Sequence, residues 1–483
     1  MLNAATSTAL TFSSAPNFYR SPSSLSIVLP NPKTIISTYA RSSVLAVMEK
    51  AITRGHLTVA DSEGVHHFGT RSKGSNDVYL KVVNTDFWMR ILLYVPFITP
   101  LIMSRSSSPF SSQDLGFSEA YMMGDVEVDN LKGVMDLWLD NESGMDHLSS
   151  AVSRVTSAIS GISNAFLGQT RSKARLNAIA SYDQSNELFK AFLSQEMMYS
   201  CALWTEAEGG VRGDLISGPT PGDLEAAQLR KIRYVLTAAK VKPGDRILEF
   251  GSGWGGMAIE AARTFGCEVD TLTLSKEQKA LAEERIKAAG LQDVIRVHLM
   301  DYREIPPSFE KAFDAFISIE MLEHVGSKHY HGYFKLVDFA LKSSNATAVV
   351  SASTFPESRY SGYQPEDFMR KYMWPNSCLP SATALITGAN TGSEGRFTLE
   401  GVENHAAHYP RTLREWGRRL DANVRQDLIV QDYPSLKDKA EFDIFRRKWQ
   451  YLFAYAGAGF AKGYITCHML TFTRPNDCPV TCD

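Results

Sequence analysis

The chain has 483 residues, 44% of them hydrophobic and 21% charged, enough to bury a large core and to form two domains. Its net charge of −3 argues against a surface built to follow nucleic-acid phosphates. The six cysteines, Cys201, Cys267, Cys378, Cys467, Cys478 and Cys482, are scattered without the Cys-x-x-Cys spacing of a zinc site, so no metal is expected and a reduced, cytoplasmic setting is the simplest reading.

Residues 1–40 are rich in Ser, Thr, Ala and Pro, with no acid before Glu49. Too little apolar surface is present there to order the segment, so it is expected to be disordered; the lack of acids leaves a mitochondrial targeting role open. Residues 41–149 read as an accessory α+β domain, with a helix around 46–54 and alternating strands at 55–60 and 77–83. The apolar stretch 87–103 is broken by Arg90, Pro96 and Pro100 and is shorter than the roughly 20 residues that a bilayer core requires. The Ser-rich stretch 150–178 reads as a linker or a surface helix between domains, and residues 476–483 as a tail.

A larger domain, 179–475, opens with an amphipathic helix at 179–193 followed by Met-Tyr-Ser-Cys-Ala-Leu-Trp at 198–204. A helix starting at Asp223 or Pro221 and running through Leu236 ends before Pro243. Next comes Arg-Ile-Leu-Glu-Phe-Gly-Ser-Gly-Trp-Gly-Gly at 246–256, an apolar strand, a glycine turn and a helix start. Further strands follow at 267–274, 294–300 and 313–319, the second ending in Asp301 and the last running into Glu320-Met-Leu-Glu-His324. Alternating strands and helices predict an α/β fold, a Rossmann-like parallel sheet with helices on both faces and the ligand at the carboxyl ends of the strands. Gly251, Gly253 and Gly255 let the turn approach a ligand closely. Glu249 just before them would repel a diphosphate but suits S-adenosylmethionine, which carries an ammonium and a sulfonium.

The stretches Leu-Glu-Phe-Gly-Ser-Gly-Trp-Gly-Gly, Leu-Thr-Leu-Ser-Lys-Glu-Gln, Met-Leu-Glu-His-Val-Gly and Met-Tyr-Ser-Cys-Ala-Leu-Trp together resemble the cyclopropane-fatty-acyl-phospholipid synthase family, in a long form of fungal or plant type, over residues 182–475. The resemblance implies a class I methyltransferase sheet. For S-adenosylmethionine it implies Tyr199 and Ser200 at the cofactor carboxylate, Glu249, Gly251, Gly253 and Trp254 at the glycine turn, and Thr273, Leu274 and Gln278 at the ribose and adenosine side. Asp301 and Tyr302 then lie near the adenine, although Asp301 also reads as a helix-starting acid and Tyr302 as core. In the family a Phe-Trp-x-Arg strand runs almost directly into a Gly-Phe-x-Glu-Ala-Tyr segment, so residues 95–113 read as an insertion, either a lineage-specific loop or a retained intron translated in frame.

An alkene is a weak nucleophile, and its methylation leaves a carbocation, so the site must orient both partners, favour positive charge and supply a base for a proton of the new methyl group. The family meets the last need with bicarbonate. Of its four holders, Cys201 and Glu323 match; Ser351 stands where bacterial members have His, and Tyr451 followed by Leu452 stands where a Tyr-Tyr pair is usual. Cys201 also reads as a small buried filler, and Glu323 as a helix cap. Without a base, a hydride shift would give a methylene or methyl branch. Tyr199, Trp204, Trp449 and Phe460 are candidates to steady a cation, and residues 359–380 resemble a lid over an acyl pocket. The expected substrate is an unsaturated acyl phospholipid, reached by peripheral membrane contact through the basic runs at 411–419 and 445–449. Nucleic acid is not an expected partner, and homo-oligomers stay open. A small-molecule methyltransferase and a non-catalytic relative are the alternatives.

Overall fold

The computed structural model describes residues 32–71, 76–93, 110–142, 185–475 and 477. The segment before residue 32, most of the 95–113 insertion and the 150–178 linker lie outside these residues.

Strands β1 (His56–Asp61), β2 (Gly64–Gly69), β3 (Asp77–Val82) and β4 (Val126–Val128) form a small sheet in the order β2-β1-β3-β4. The larger sheet is built from β5 (Arg246–Phe250), β6 (Glu268–Thr273), β7 (Ile295–Leu299), β8 (Ala315–Ile319), β9 (Thr347–Thr354), β10 (Thr398–Asn404) and β11 (Thr466–Thr473), in the order β10-β11-β9-β8-β5-β6-β7. The strands from β5 to β9 pair in parallel, and β11 runs against both its neighbours.

Successive residues of a strand face opposite sides, which divides the packing into two layers. Ile247, Ile317 and Val349 meet helices Asp223–Ala238, Gly256–Glu260 and Lys276–Ala288, whereas Leu248, Phe316 and Val350 meet helices Tyr330–Ala340 and Ala382–Gly392. Because β5 connects to β6 on one side and pairs with β8 on the other, the chain order reverses between β5 and β8. A crevice opens outside their carboxyl ends, where such sheets hold ligands.

Several local expectations need correction. Helix Pro32–Ala51 begins inside the segment expected to be disordered, and it buries Ala40 and Val44. The Phe-Trp-x-Arg residues lie in helix Asp86–Leu93 rather than in a strand, because Asn84 Oδ1 accepts the Asp86 N–H at 3.1 Å and opens the helix. Of the helix expected at 179–193, residues 179–184 lie outside the described residues; the described part is Asn186–Phe192, capped by the Ser185 hydroxyl accepting the Leu188 N–H at 3.2 Å. The long helix Lys439–Ala461 packs on helices Leu131–Asp140 and Phe110–Met123, so the N-terminal and catalytic portions share one core. No helix among the described residues is long and apolar enough to cross a membrane.

Candidate active site

Strand β5 ends in Glu249 and Phe250, and the chain then turns through Gly251 (φ 95°), Gly253 (φ 48°) and Gly255 (φ 79°). These left-handed angles are the reason for glycine there. The N–H groups of Gly251 and Ser252 both donate to the Leu272 carbonyl, at 3.0 and 2.9 Å, tying the turn to β6. Space is left above it: a Cβ on Gly253 would meet nothing within 4 Å. The buried Ser252 Oγ has no partner among the described residues. Burial raises the Glu249 carboxyl to about 7, opposed by the Thr271 hydroxyl donating to it at 2.6 Å and by the Lys231 ammonium. An open glycine cradle, a hydroxyl left unpaired among the described residues and a buried acid at the strand end fit the amino-acid end of S-adenosylmethionine.

All the residues expected to hold that cofactor line one cavity of about 1320 Å³, namely Tyr199, Ser200, Glu249, Gly251, Gly253, Trp254, Thr273, Leu274, Gln278, Asp301 and Tyr302. Trp254 is fixed by its indole N–H donating to Asn186 Oδ1 at 2.6 Å. Thr273 donates to Gln278 Oε1 at 2.7 Å, and Leu274 is 73% exposed at the rim. Asp301 is held below the usual carboxylate range by its hydrogen-bonded pair with Arg303. The Tyr302 ring packs 5.5 Å from Phe250 and 5.3 Å from Tyr333. The cavity exceeds the usual range for a drug-sized ligand alone and extends to Met135 and Leu139 of the N-terminal portion, to lid residues Tyr363, Met369 and Trp374, and to Phe460.

At the reacting end, Glu323 is buried. Its Oε1 accepts the Ser353 N–H at 2.5 Å, and its Oε2 has no partner among the described residues. Burial, and then the neighbouring Glu320, raise it to about 8, so near neutral pH it carries a proton and can donate from Oε2. Glu320 also lines the cavity and was not assigned a role from the sequence. It adopts φ 53°, a left-handed conformation costing roughly 1–2 kcal/mol for a residue with a Cβ. Its Oε1 accepts the Cys201 N–H at 2.8 Å and its Oε2 the Tyr409 hydroxyl. Lys231, whose ammonium donates to Ser200 Oγ at 2.6 Å, is buried nearby and lowered to about 8 by that burial, against the pull of Glu320. The signal for Glu320 was its place, an acid at the end of β8 beside the reversal of strand order; Lys231 and Tyr409, on helix faces, gave none.

Other assignments change. Tyr451 does not line the cavity: it is fully buried, its hydroxyl donating to the Asp114 carbonyl at 3.5 Å and its ring 4.5 Å from Phe368, because its face of the helix is turned to the N-terminal portion. Leu452 and Tyr455 face the cavity instead. Cys201 sits behind Glu320, its thiol donating to the carbonyls of Ala202 at 3.5 Å and His405 at 3.7 Å. Of the proposed cation-steadying rings, Tyr199 and Phe460 line the cavity, with Trp374 and Trp416. Trp204 packs against Arg411 and Trp449 is fully buried in the core. The basic runs are no free membrane patch. Arg411 is buried on Asp223, Arg414 and Arg418 pair with Asp214, Arg419 with Glu225, and Arg446 with Asp421.

These residues do not fit the bicarbonate expected from the resemblance. Cys201 and Tyr451 stand off the cavity, Ser351 and Leu452 replace the His and the second Tyr, and the Cys201 N–H is already taken by a protein carboxylate.

The model of the family described as mycolic acid cyclopropane synthetase matches residues 169–470. The tuberculostearic acid methyltransferase UfaA1 of Mycobacterium tuberculosis is 33% identical over 74% of this chain and 79% of its own length. The cyclopropane-fatty-acyl-phospholipid synthase of Escherichia coli is 30% identical over 84% of this chain and 90% of its own. A solved coclaurine N-methyltransferase, bound to N-methylheliamine and SAH, superposes with a TM-score of 0.53 at 16% identity, over 74% of this chain and 99% of that one, which shows the shared fold. With a family model spanning more than half of its residues and a cofactor cradle at the end of β5, the chain belongs to the mycolic acid cyclopropane synthetase family and is an S-adenosylmethionine-dependent methyltransferase of lipid chains.

Proposed function

We propose that the enzyme methylates the double bond of an unsaturated fatty acyl chain carried by a phospholipid and closes the product to a cyclopropane ring. When bound, S-adenosylmethionine supplies an electrophilic methyl group; the chain's own residues do the rest. Glu249 meets the cofactor ammonium. Tyr199, Trp374 and Phe460 give the acyl chain an apolar wall whose ring faces favour positive charge at the alkene carbons. The observation that carries the reading is the pair of cavity-facing carboxyl groups, Glu320 and Glu323, beside that aromatic wall. Ring closure needs a proton acceptor for a proton of the new methyl group, and the aromatic wall beside the pair suits an acyl chain rather than a polar amine.

The branching reading has support of its own in the incomplete bicarbonate set, since a cation that keeps its proton longer has time for a hydride shift. The working location is proposed as cytoplasmic, at a membrane surface from which the acyl chain is drawn. Expression in a host whose lipids lack rings and branches tests the substrate. Phospholipid acyl chains are expected to gain one CH2 for each double bond lost, with ring protons in the proton NMR spectrum. A gain of CH2 with unsaturation retained selects the branching reading, and unchanged lipids with a methylated soluble amine would refute the lipid assignment.

A further inference from the structure

The misfit of the bicarbonate set leaves ring closure without a base, and one unassigned side chain stands in the right place. Glu320 faces the cavity from the end of β8. Its carboxyl group is fixed from both ends, by the Cys201 N–H at 2.8 Å on Oε1 and by the Tyr409 hydroxyl on Oε2. Tyr409 is itself clamped face to face on Phe460, with centroids 4.0 Å apart at 7°. Cys467 Sγ lies 4.0 Å from Oε1. The other charged or titratable groups that face it among the described residues are Lys231, Tyr199, Cys201 and Glu323, of which Lys231 is the cation. The left-handed backbone is held by the Glu320 N–H donating to the Ser351 carbonyl at 2.8 Å. A strained, doubly anchored carboxylate at the reacting end of a cavity is what a functional constraint leaves behind. A carboxylate has about four acceptor positions, so two anchors leave room for a proton from a substrate.

We infer that Glu320 is the proton acceptor of the reaction, a protein carboxylate standing in for bicarbonate. The inference rests on the acyl-chain reading above. One alkene carbon takes the methyl group with the π electron pair, and the S–C pair stays on sulfur, which becomes a neutral thioether. The other alkene carbon is left electron-deficient. A proton of the new methyl group passes to Glu320, and the released C–H pair closes the third bond of the ring. No oxidant or further reactant is needed, and the proton then leaves to solvent.

Glu320→Gln keeps one acceptor, for the Cys201 N–H, and turns an amide N–H donor to the Tyr409 hydroxyl, which can rotate to accept it, while removing the base; Glu320→Gly suits the left-handed backbone and opens a gap. For both variants, kcat is expected to fall by about 10²–10⁴, while calorimetric affinity for S-adenosylmethionine stays within about twofold, as for a group acting after binding. Added formate or bicarbonate is expected to restore part of the Glu320→Gly rate and none of the Glu320→Gln rate. The wild type is expected to keep its rate in carbonate-free buffer. A readout without turnover is the NMR line of 13C-bicarbonate titrated into the complex with S-adenosylhomocysteine, expected to be unperturbed by the wild type. Saturable bicarbonate binding by the wild type, a rate that needs added bicarbonate, or a Glu320→Gln rate within threefold of wild type would overturn the inference. Unmodified lipids from the wild type would instead remove the substrate reading, and the NMR titration would still decide the question of the anion.

Discussion

Glu249 shows how a single buried acid serves binding at the expense of stability. Its folded pKa, raised to about 7 by burial, lies above the roughly 4.3 of an unfolded glutamate. The stability linked to the proton is therefore fully present below about pH 4.3 and lost as pH rises through about 7. Glu249→Gln is expected to raise Tm by about 2 °C at pH 8 and to leave it nearly unchanged at pH 4.5. The same change is expected to weaken S-adenosylmethionine binding by about 10–100-fold, the worth of a hydrogen bond to a charged group. Calorimetric unfolding and titration check both; a variant that binds as tightly as wild type sinks this role. The acid was legible in the sequence because its type, before a glycine turn, chooses between a diphosphate and a cationic ligand. Tyr451 was misread because adjacent positions on a helix point about 100° apart, and only packing decided that Leu452 faces the cavity.

At the scale of elements, the first turn of helix Gly256–Glu260 sits directly on the Glu196 carbonyl: a Cβ on Gly256 would come within 2.2 Å of that oxygen. Backbone faces backbone there, and neither can swing aside. Gly256→Ala is expected to cost about 1–3 kcal/mol, read from urea unfolding, and to loosen the loop that carries Tyr199. A cost below about 0.5 kcal/mol, typical of a tolerated surface change, would show that the contact yields. Strands β5, β6, β7 and β8 were readable because parallel strands buried on both faces are apolar runs that end in polar turns. Strands β2 and β10 were not. The only buried side chain of Gly64–Gly69 is Phe68, and Thr398–Asn404 is an edge strand with no buried residue, so neither carries a hydrophobic pattern to read.

On the scale of the whole molecule, the N-terminal portion takes part in the site as well as in the core. Met135 and Leu139 close one wall of the cavity, Lys371 and Tyr372 of the lid region bond Glu119 at 2.8 Å each, and Lys462 pairs with Asp140 at 2.7 Å. Sequence reading separated the two portions because the contacts between them join residues hundreds of positions apart, which no local pattern records. The shared cavity makes one arrangement central: the charged end of the methyl donor on Glu249, its sulfur toward Glu320 and Glu323, and the remaining space for an acyl chain. A crystal structure of the full chain with S-adenosylhomocysteine tests this most directly. It is expected to show the ligand amino group on Glu249 and its sulfur facing the two carboxyl groups. A ligand bound elsewhere, or a sulfur turned away from Glu320 and Glu323, would contradict the account.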